Sequence, residues 1–237
     1  MLYEDLAPGV LPPGLRVYAI GDVHGCADRL AALHGGIRAH AEARPAGRIQ
    51  LVHLGDYVDR GPDSAGVLEL LLGPPPLAGA ELVTLVGNHE AMMLDACAAG
   101  ASAGALRFWL ENGGAETLDS YGADPADPGW PGHVPPEHLA LLRRCPLSHA
   151  AGDYLFVHAG VRPEVPLDRQ DPFDLLWIRE PFLSWRGRLG AVVVHGHTPT
   201  PLPAVRDHRI GIDTGACFGG DLTCLVLEAD RMAFLMA

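Results

Sequence analysis

Five times along this chain a short apolar run stops at an acid, an amide or an imidazole set beside glycine. Val17-Tyr18-Ala19-Ile20 leads into Gly21-Asp22-Val23-His24-Gly25. Ile49-Gln50-Leu51-Val52-His53-Leu54 leads into Gly55-Asp56-Tyr57-Val58-Asp59-Arg60-Gly61, and Leu82-Val83-Thr84-Leu85-Val86 into Gly87-Asn88-His89-Glu90. Later, Phe156-Val157 leads into His158-Ala159-Gly160, and Val194 into His195-Gly196-His197-Thr198. Short apolar runs closed by glycine read as buried strands. Between the first three lie helix-like stretches, 27–43, rich in Ala and Leu, and 62–72, with Pro62 suited to a first helical turn. The first 90 residues therefore read β-α-β-α-β, which requires a parallel sheet with helices over its face.

The middle, about 91–145, reads as a mostly helical insertion broken by a turn-rich segment at 122–136. The last third offers strand candidates at 154–157, 191–194, 209–212, 222–227 and 232–235, which suggests a second sheet with much antiparallel pairing. With no repeat and no linker, residues 1–237 are expected to form one domain. Its fold class is α/β, a four-layer αββα sandwich of two mixed sheets flanked by helices.

Composition agrees with a core-forming chain. Of 237 residues, 48% are hydrophobic and 19% charged, so a disordered protein is excluded. The net charge of −12 is a poor platform for nucleic acid or an anionic membrane, and neither is expected as a partner. No apolar run approaches the roughly 20 residues of a membrane span. The five cysteines form no C-x-x-C pair, and the first residues are acidic where a signal peptide is basic. A cytoplasmic location with reduced thiols is the expectation, with a monomer as the default.

Strand carboxyl ends in open α/β sheets are where ligands bind. Pooled from the five ends, Asp22, His24, Asp56, Asn88, His158 and either His195 or His197 form an oxygen and imidazole ligand set without sulfur. Such a set suits Mn2+, Fe or Zn2+. Asp22 and His24, two apart, point to one side of an extended chain and can share one ion. Asn88, His158 and a late histidine can hold a second, with Asp56 placed to bridge. Two adjacent ions clamp the attacking and leaving oxygens of a phosphoryl transfer and bring a bridging water to hydroxide near neutral pH. Singly, each Asp or Asn is an ordinary turn residue; jointly they are not.

The ordered set Gly-Asp-x-His-Gly, Gly-Asp-x-Val-Asp-Arg-Gly, Gly-Asn-His-Glu, His-Ala-Gly and Gly-His resembles the calcineurin-like metallophosphoesterase superfamily. It most resembles the phosphoprotein phosphatase branch in its compact bacterial and phage form. The resemblance implies Asp22, His24 and Asp56 on one metal and Asp56, Asn88, His158 and His197 on the other, with Mn2+ the leading candidate. It implies His89 as general acid oriented by Asp59, Arg60 and Asn88 on the substrate phosphate, and Arg179 as a second phosphate-binding arginine. The implied activity is a serine/threonine phosphoprotein phosphatase, with phosphoprotein or phosphopeptide substrates and small phosphate esters besides. The runner-up is a dinucleoside tetraphosphate hydrolase or other nucleotidase, a relative that tends to lose the Asp59 carboxylate. A non-catalytic binding module on the same fold is a third reading, disfavoured because every proposed ligand is kept. Glu90 is expected to support its loop, Asp213 to make a turn, and His53 to pack in the core.

Overall fold

The computed structural model describes residues 5–237. Its strands are β1 (Asp5–Leu6), β2 (Leu15–Ile20), β3 (Arg48–His53), β4 (Glu81–Thr84), β5 (Ser148–Ala151), β6 (Tyr154–Val157), β7 (Val192–His195), β8 (Ala204–Arg206), β9 (Arg209–Gly211), β10 (Thr223–Glu228) and β11 (Arg231–Met236). Its α-helices are α1 (Ala27–Ala43), α2 (Ser64–Leu72), α3 (Asn88–Ala96), α4 (Ala103–Trp109), α5 (Ala115–Ser120), α6 (Pro136–Arg144) and α7 (Pro172–Trp177). A π-helical turn, Leu110–Gly114, joins α4 to α5.

Two mixed sheets result. One runs β1-β11-β10-β2-β3-β4, the other β5-β6-β7-β9-β8. Strand alternation divides the core. Val17, Ala19, Val52, Leu225 and Leu227 from the first sheet meet Tyr154, Phe156, Val192, Val194 and Ile210 from the second. The opposite neighbours Tyr18, Ile20, Leu51, Cys224 and Val226 pack with Leu30, Leu33 and Ile37 of α1 and Val67 and Leu68 of α2. On the outer face of the second sheet, Val157 and Val193 pack with Leu175 of α7, Ile178 and Phe182. This is the αββα sandwich, helices outside and the two sheets face to face.

Three sequence expectations need correction. β10 and β11 belong to the first sheet, with β10 antiparallel to β2 and Cys224 opposite Ile20. Both faces of β10 are buried, as an interior strand requires, and β2 has an edge left free by β3. The second sheet is antiparallel only at its outer pairs, β5–β6 and β8–β9, while β6, β7 and β9 run parallel. Helix α2 also starts later than Pro62: Asp63 is its cap, accepting from Gly66 N–H at 2.8 Å.

The parallel registers bring chemistry to one edge. Ile20 pairs with His53 and His53 with Thr84, so β2, β3 and β4 end together. Phe156 pairs with Val194, and His195 with Gly211, so β6, β7 and β9 do likewise. The sheets close on each other at this edge, where a Cβ on Gly21 would collide with the Ile212 carbonyl.

Candidate metal centre

Asp22 and His24 follow β2, Asp56 to Arg60 follow β3, and Asn88 and His89 open α3 beyond β4. His158 follows β6, and His197 follows β7. Asp22, His24, Asp56, Asp59, Asn88, His89, His158 and His197 are all buried, none more than 6% exposed. The structure therefore brings together residues 175 positions apart in the chain, and His197 N–H donates to Asp22 Oδ2 at 2.9 Å.

The Asp56 carboxylate lies at the middle. Its Oδ2 is 3.4 Å from His24 Nε2 and its Oδ1 is 3.3 Å from His158 Nε2. Its position is set by Glu90, a wholly buried carboxylate that accepts from Asp56 N–H and Tyr57 N–H at 2.7 Å and Gly87 N–H at 2.8 Å. Burial pushes Glu90 up to about 7. For Asp56 burial acts upward too, yet the imidazoles of His158, His89, His24 and His197 outweigh it and hold the group below the usual carboxylate range.

The donor set fits cations. His24 Nδ1 faces the Val58 carbonyl at 2.9 Å and His158 Nδ1 the Leu54 carbonyl at 3.0 Å. A carbonyl only accepts, so both Nδ1 atoms carry the proton and both Nε2 lone pairs point inward. His158 Nε2 then lies 2.8 Å from Asn88 Oδ1 as well as beside Asp56, three acceptors with no proton among them. Asp22 Oδ1 is buried with no hydrogen-bond partner. A Cβ on Gly196 would overlap that same oxygen, so glycine keeps the approach open. Burial pushes His24 and His197 down to about 3, which keeps the imidazoles neutral and able to ligate. Two groups of ligand atoms lie within 4.8 Å of one another, His24 with Asp56 and His89, and Asp56 with His158 and His197. Convergent lone pairs of this kind are stabilised by positive charge between them.

His89 stands beside this cluster. Its Nδ1 is 2.7 Å from Asp59 Oδ2, and its Nε2 is 3.9 Å from Asp56 Oδ2. Burial works against its proton, but Asp56 and Asp59 together raise it above the ordinary imidazole value. Asp59 is itself held on both oxygens. Thr117 Oγ1 donates to Oδ1 at 2.7 Å, and Trp109 Nε1 lies 2.9 and 3.0 Å from the two oxygens. Trp109 and Thr117 come from α4 and α5 of the helical segment, and sequence reasoning did not find them. Neither carries a spacing signal; each is a single residue, 50 and 58 positions from Asp59 respectively.

Arg60 is half-buried, with Nη1 2.7 Å from His24 Nε2 and its guanidinium 5.6 Å from the Phe218 ring. Arg179 is exposed after α7, close enough for its charge to add to the depression of His197 that burial and His158 begin. His195 turns away, its Nε2 3.2 Å from Arg209 Nη1 and its ring against Phe182. His53 packs in the core against His34, and Asp213 closes an Asx turn on Gly215 N–H. Aromatic rings border the cluster: Trp177 lies 6.2 Å from His197, with Phe108 and Phe173 6.3 and 6.2 Å from Trp177.

The backbone is unusual at the same places. His24, Asp56, Asp59, Arg60 and His197 have φ of 44, 51, 74, 68 and 64°, a region that non-glycine residues seldom enter. Such conformations cost about 1–3 kcal/mol each and gather at functional sites.

The family model for calcineurin-like phosphoesterases matches residues 15–228. Serine/threonine-protein phosphatase 1 of Salmonella typhimurium is 32% identical over 213 residues, covering 88% of this chain and 90% of that protein. An asymmetrical bis(5'-nucleosyl)-tetraphosphatase of Bacillus thuringiensis is 29% identical, covering 87% and 88%. Among solved structures, a crystal structure of a proposed diadenosine tetraphosphatase superposes with a TM-score of 0.66 at 25% identity, over 96% of this chain and 97% of that one. With the ordered strand-end motifs and the sandwich that gathers them, the match places this chain in the calcineurin-like phosphoesterase family.

Proposed function

We propose that the chain is a serine/threonine phosphoprotein phosphatase, a phosphomonoesterase that needs two divalent ions, Mn2+ first among them. Calcineurin-like phosphoesterases use a binuclear metal centre, and this chain has His/Asp groups able to hold one. Asp22, His24 and Asp56 would hold one ion, and Asp56, Asn88, His158 and His197 the other. When bound, the ions neutralise phosphate charge and activate water for in-line attack.

The observation that carries the reading is the Asp59–His89 pair. Hydrolysis of an alkyl phosphate ester expels an alkoxide, which must be protonated as it leaves. His89 holds a proton whose pKa is raised by its carboxylate neighbours, and its Nε2 faces the centre. Asp59 fixes the ring through Nδ1 and stabilises imidazolium. Arg60 supplies a planar guanidinium at the edge of the centre, suited to two phosphate oxygens. Arg179 is a further candidate from the opposite side, and Asn88 can add its amide to the substrate.

A dinucleoside tetraphosphate hydrolase is the second reading. The aromatic border of Trp177, Phe108 and Phe173 favours it, since exposed rings can stack a nucleobase. The test is a Mn2+-supplemented panel containing phosphoserine, phosphothreonine and phosphotyrosine peptides and diadenosine tetraphosphate. The first reading requires the phosphoserine or phosphothreonine peptide to have the highest kcat/KM. A dinucleotide preference would replace it with the second.

A further inference from the structure

A second charged concavity lies at the other end of the second sheet. A groove of about 880 Å³ is bounded by residues 186–192, by 205–208 and by Pro8 and Asp153. These residues precede β7, connect β8 to β9, and precede β6. The groove is therefore at the amino ends of the parallel strands, while the candidate metal centre is at their carboxyl ends.

Its walls are cationic in a chain of net charge −12. Arg186 and Arg188 come from the segment before β7 and Arg206 from the β8–β9 hairpin, beside a His208 whose proton burial disfavours. All three arginines are exposed, and among the described residues none of them forms an ion pair. Arg209 stands behind the wall, 9% exposed, with Nη2 donating to the Leu183 carbonyl at 3.2 Å. Two acids, Asp153 and Asp207, also line the groove, and Asp153 Oδ2 is engaged by Val10 N–H at 2.9 Å. The arginines crowd one another: burial and then Arg206 and Arg186 pull the Arg209 guanidinium down.

A second observation points to a ligand. Three buried nitrogens in or behind this wall, Trp185 Nε1, His208 Nε2 and Arg209 Nε, have no hydrogen-bond partner. Buried polar atoms are nearly always satisfied, and the two orphaned donors, Trp185 Nε1 and Arg209 Nε, call for a partner from outside the chain. Arginine forks match phosphate oxygens in pairs. The groove is far larger than one phosphate needs, and its guanidinium groups come from two separate segments, 186–188 and 205–208.

We propose that this groove is a second anion site, separate from the hydrolytic centre, that binds an oligophosphate chain. It reads the chain of phosphates, whether inorganic or the tail of a nucleotide.

Tripolyphosphate is the probe, titrated into the metal-free full chain by calorimetry. The indole N–H resonance of Trp185, assigned with Trp185→Phe, is followed in parallel. The Arg186→Ser/Arg206→Ser pair should weaken one binding event by about tenfold or more, since each charge-assisted contact is worth about that factor. The control pair Arg143→Ser/Arg144→Ser on α6 should bind as wild type, and hydrolysis of p-nitrophenyl phosphate should be unchanged in both. ATP should bind about as tightly as tripolyphosphate, and sulfate much more weakly. Equal tripolyphosphate affinity in wild type and the groove variant, an equal loss in the control pair, or sulfate binding as tight as tripolyphosphate would overturn the proposal. Should the double variant fail to fold, the exposed single changes Arg188→Ser and Arg206→Ser carry the same test. The outcome does not depend on whether the chain is a phosphatase, because no turnover is read in the binding arm.

Discussion

Replacing Asp59 by Asn tests the His89 assignment through its pH dependence. In the native chain Asp59 Oδ2 lies 2.7 Å from His89 Nδ1 in a buried setting. A hydrogen bond to a charged partner contributes about 1.5–3 kcal/mol, and about 1.4 kcal/mol corresponds to one pKa unit. Losing the carboxylate charge should therefore lower the His89 pKa by about one to two units. The sign follows from the role. An acid is active while protonated, so turnover falls as pH rises through its pKa, and a lower pKa moves that alkaline limb to lower pH. The amide can still accept from Trp109 on one side, so the fold should persist. The assay is kcat against pH with p-nitrophenyl phosphate and with a phosphoserine peptide, at saturating Mn2+. The aryl ester, whose leaving group needs less protonation, should lose less than the peptide. An alkaline limb that stays in place, or equal losses on both substrates, would show that His89 is not the acid or that Asp59 does not set it.

Direct removal of the imidazole in His89→Asn should cut phosphopeptide turnover by roughly 10²–10⁴-fold, while metal analysis finds the same ion content as wild type. Gly196→Ala should cost about 1–3 kcal/mol in urea unfolding and weaken Mn2+ binding, because the new methyl overlaps Asp22 Oδ1; a variant that binds Mn2+ normally would contradict the close approach. Mn2+ binding should also release protons. Burial and like charges raise Asp22, burial raises Glu90 to about 7 and Asp213 to about 6. Glu90 and Asp213 carry protons below those values, and Asp22 keeps its proton to higher pH than an ordinary carboxyl, so a cation competes with protons and its affinity rises with pH. Calorimetry at pH 6 in buffers of different ionisation enthalpy should read net release, and a buffer-independent heat would refute it.

The readable part of the sequence was the part whose signal is local. β2 and β3 end at glycine with acid and imidazole close behind, and the strand termini themselves carry the candidate ligands. The choice of His197 over His195 rests on family resemblance; in the structure His197 turns toward Asn88 and His195 toward Arg209. What was missed is non-local. β10 was visible as a strand, but nothing in Thr223–Glu228 says that its partner is β2, some 200 residues earlier. β5, with sequence Ser-His-Ala-Ala, has no β-branched residue to announce it. Trp109 and Thr117 reach Asp59 only after α4 packs on α3 and α5 on α2, and a lone Trp in a helical stretch reads equally well as core.

The left-handed backbone at His24, Asp56, Asp59, Arg60 and His197 has an evolutionary consequence. Glycine would relax each of these positions and make the chain sturdier, at the expense of five of the side chains gathered at the candidate centre. Drift alone would therefore carry an idle copy of this protein toward glycine there. Five demanding side chains, held where the main chain least favours them, make these turns the first places where loss of the proposed chemistry would show in a sequence.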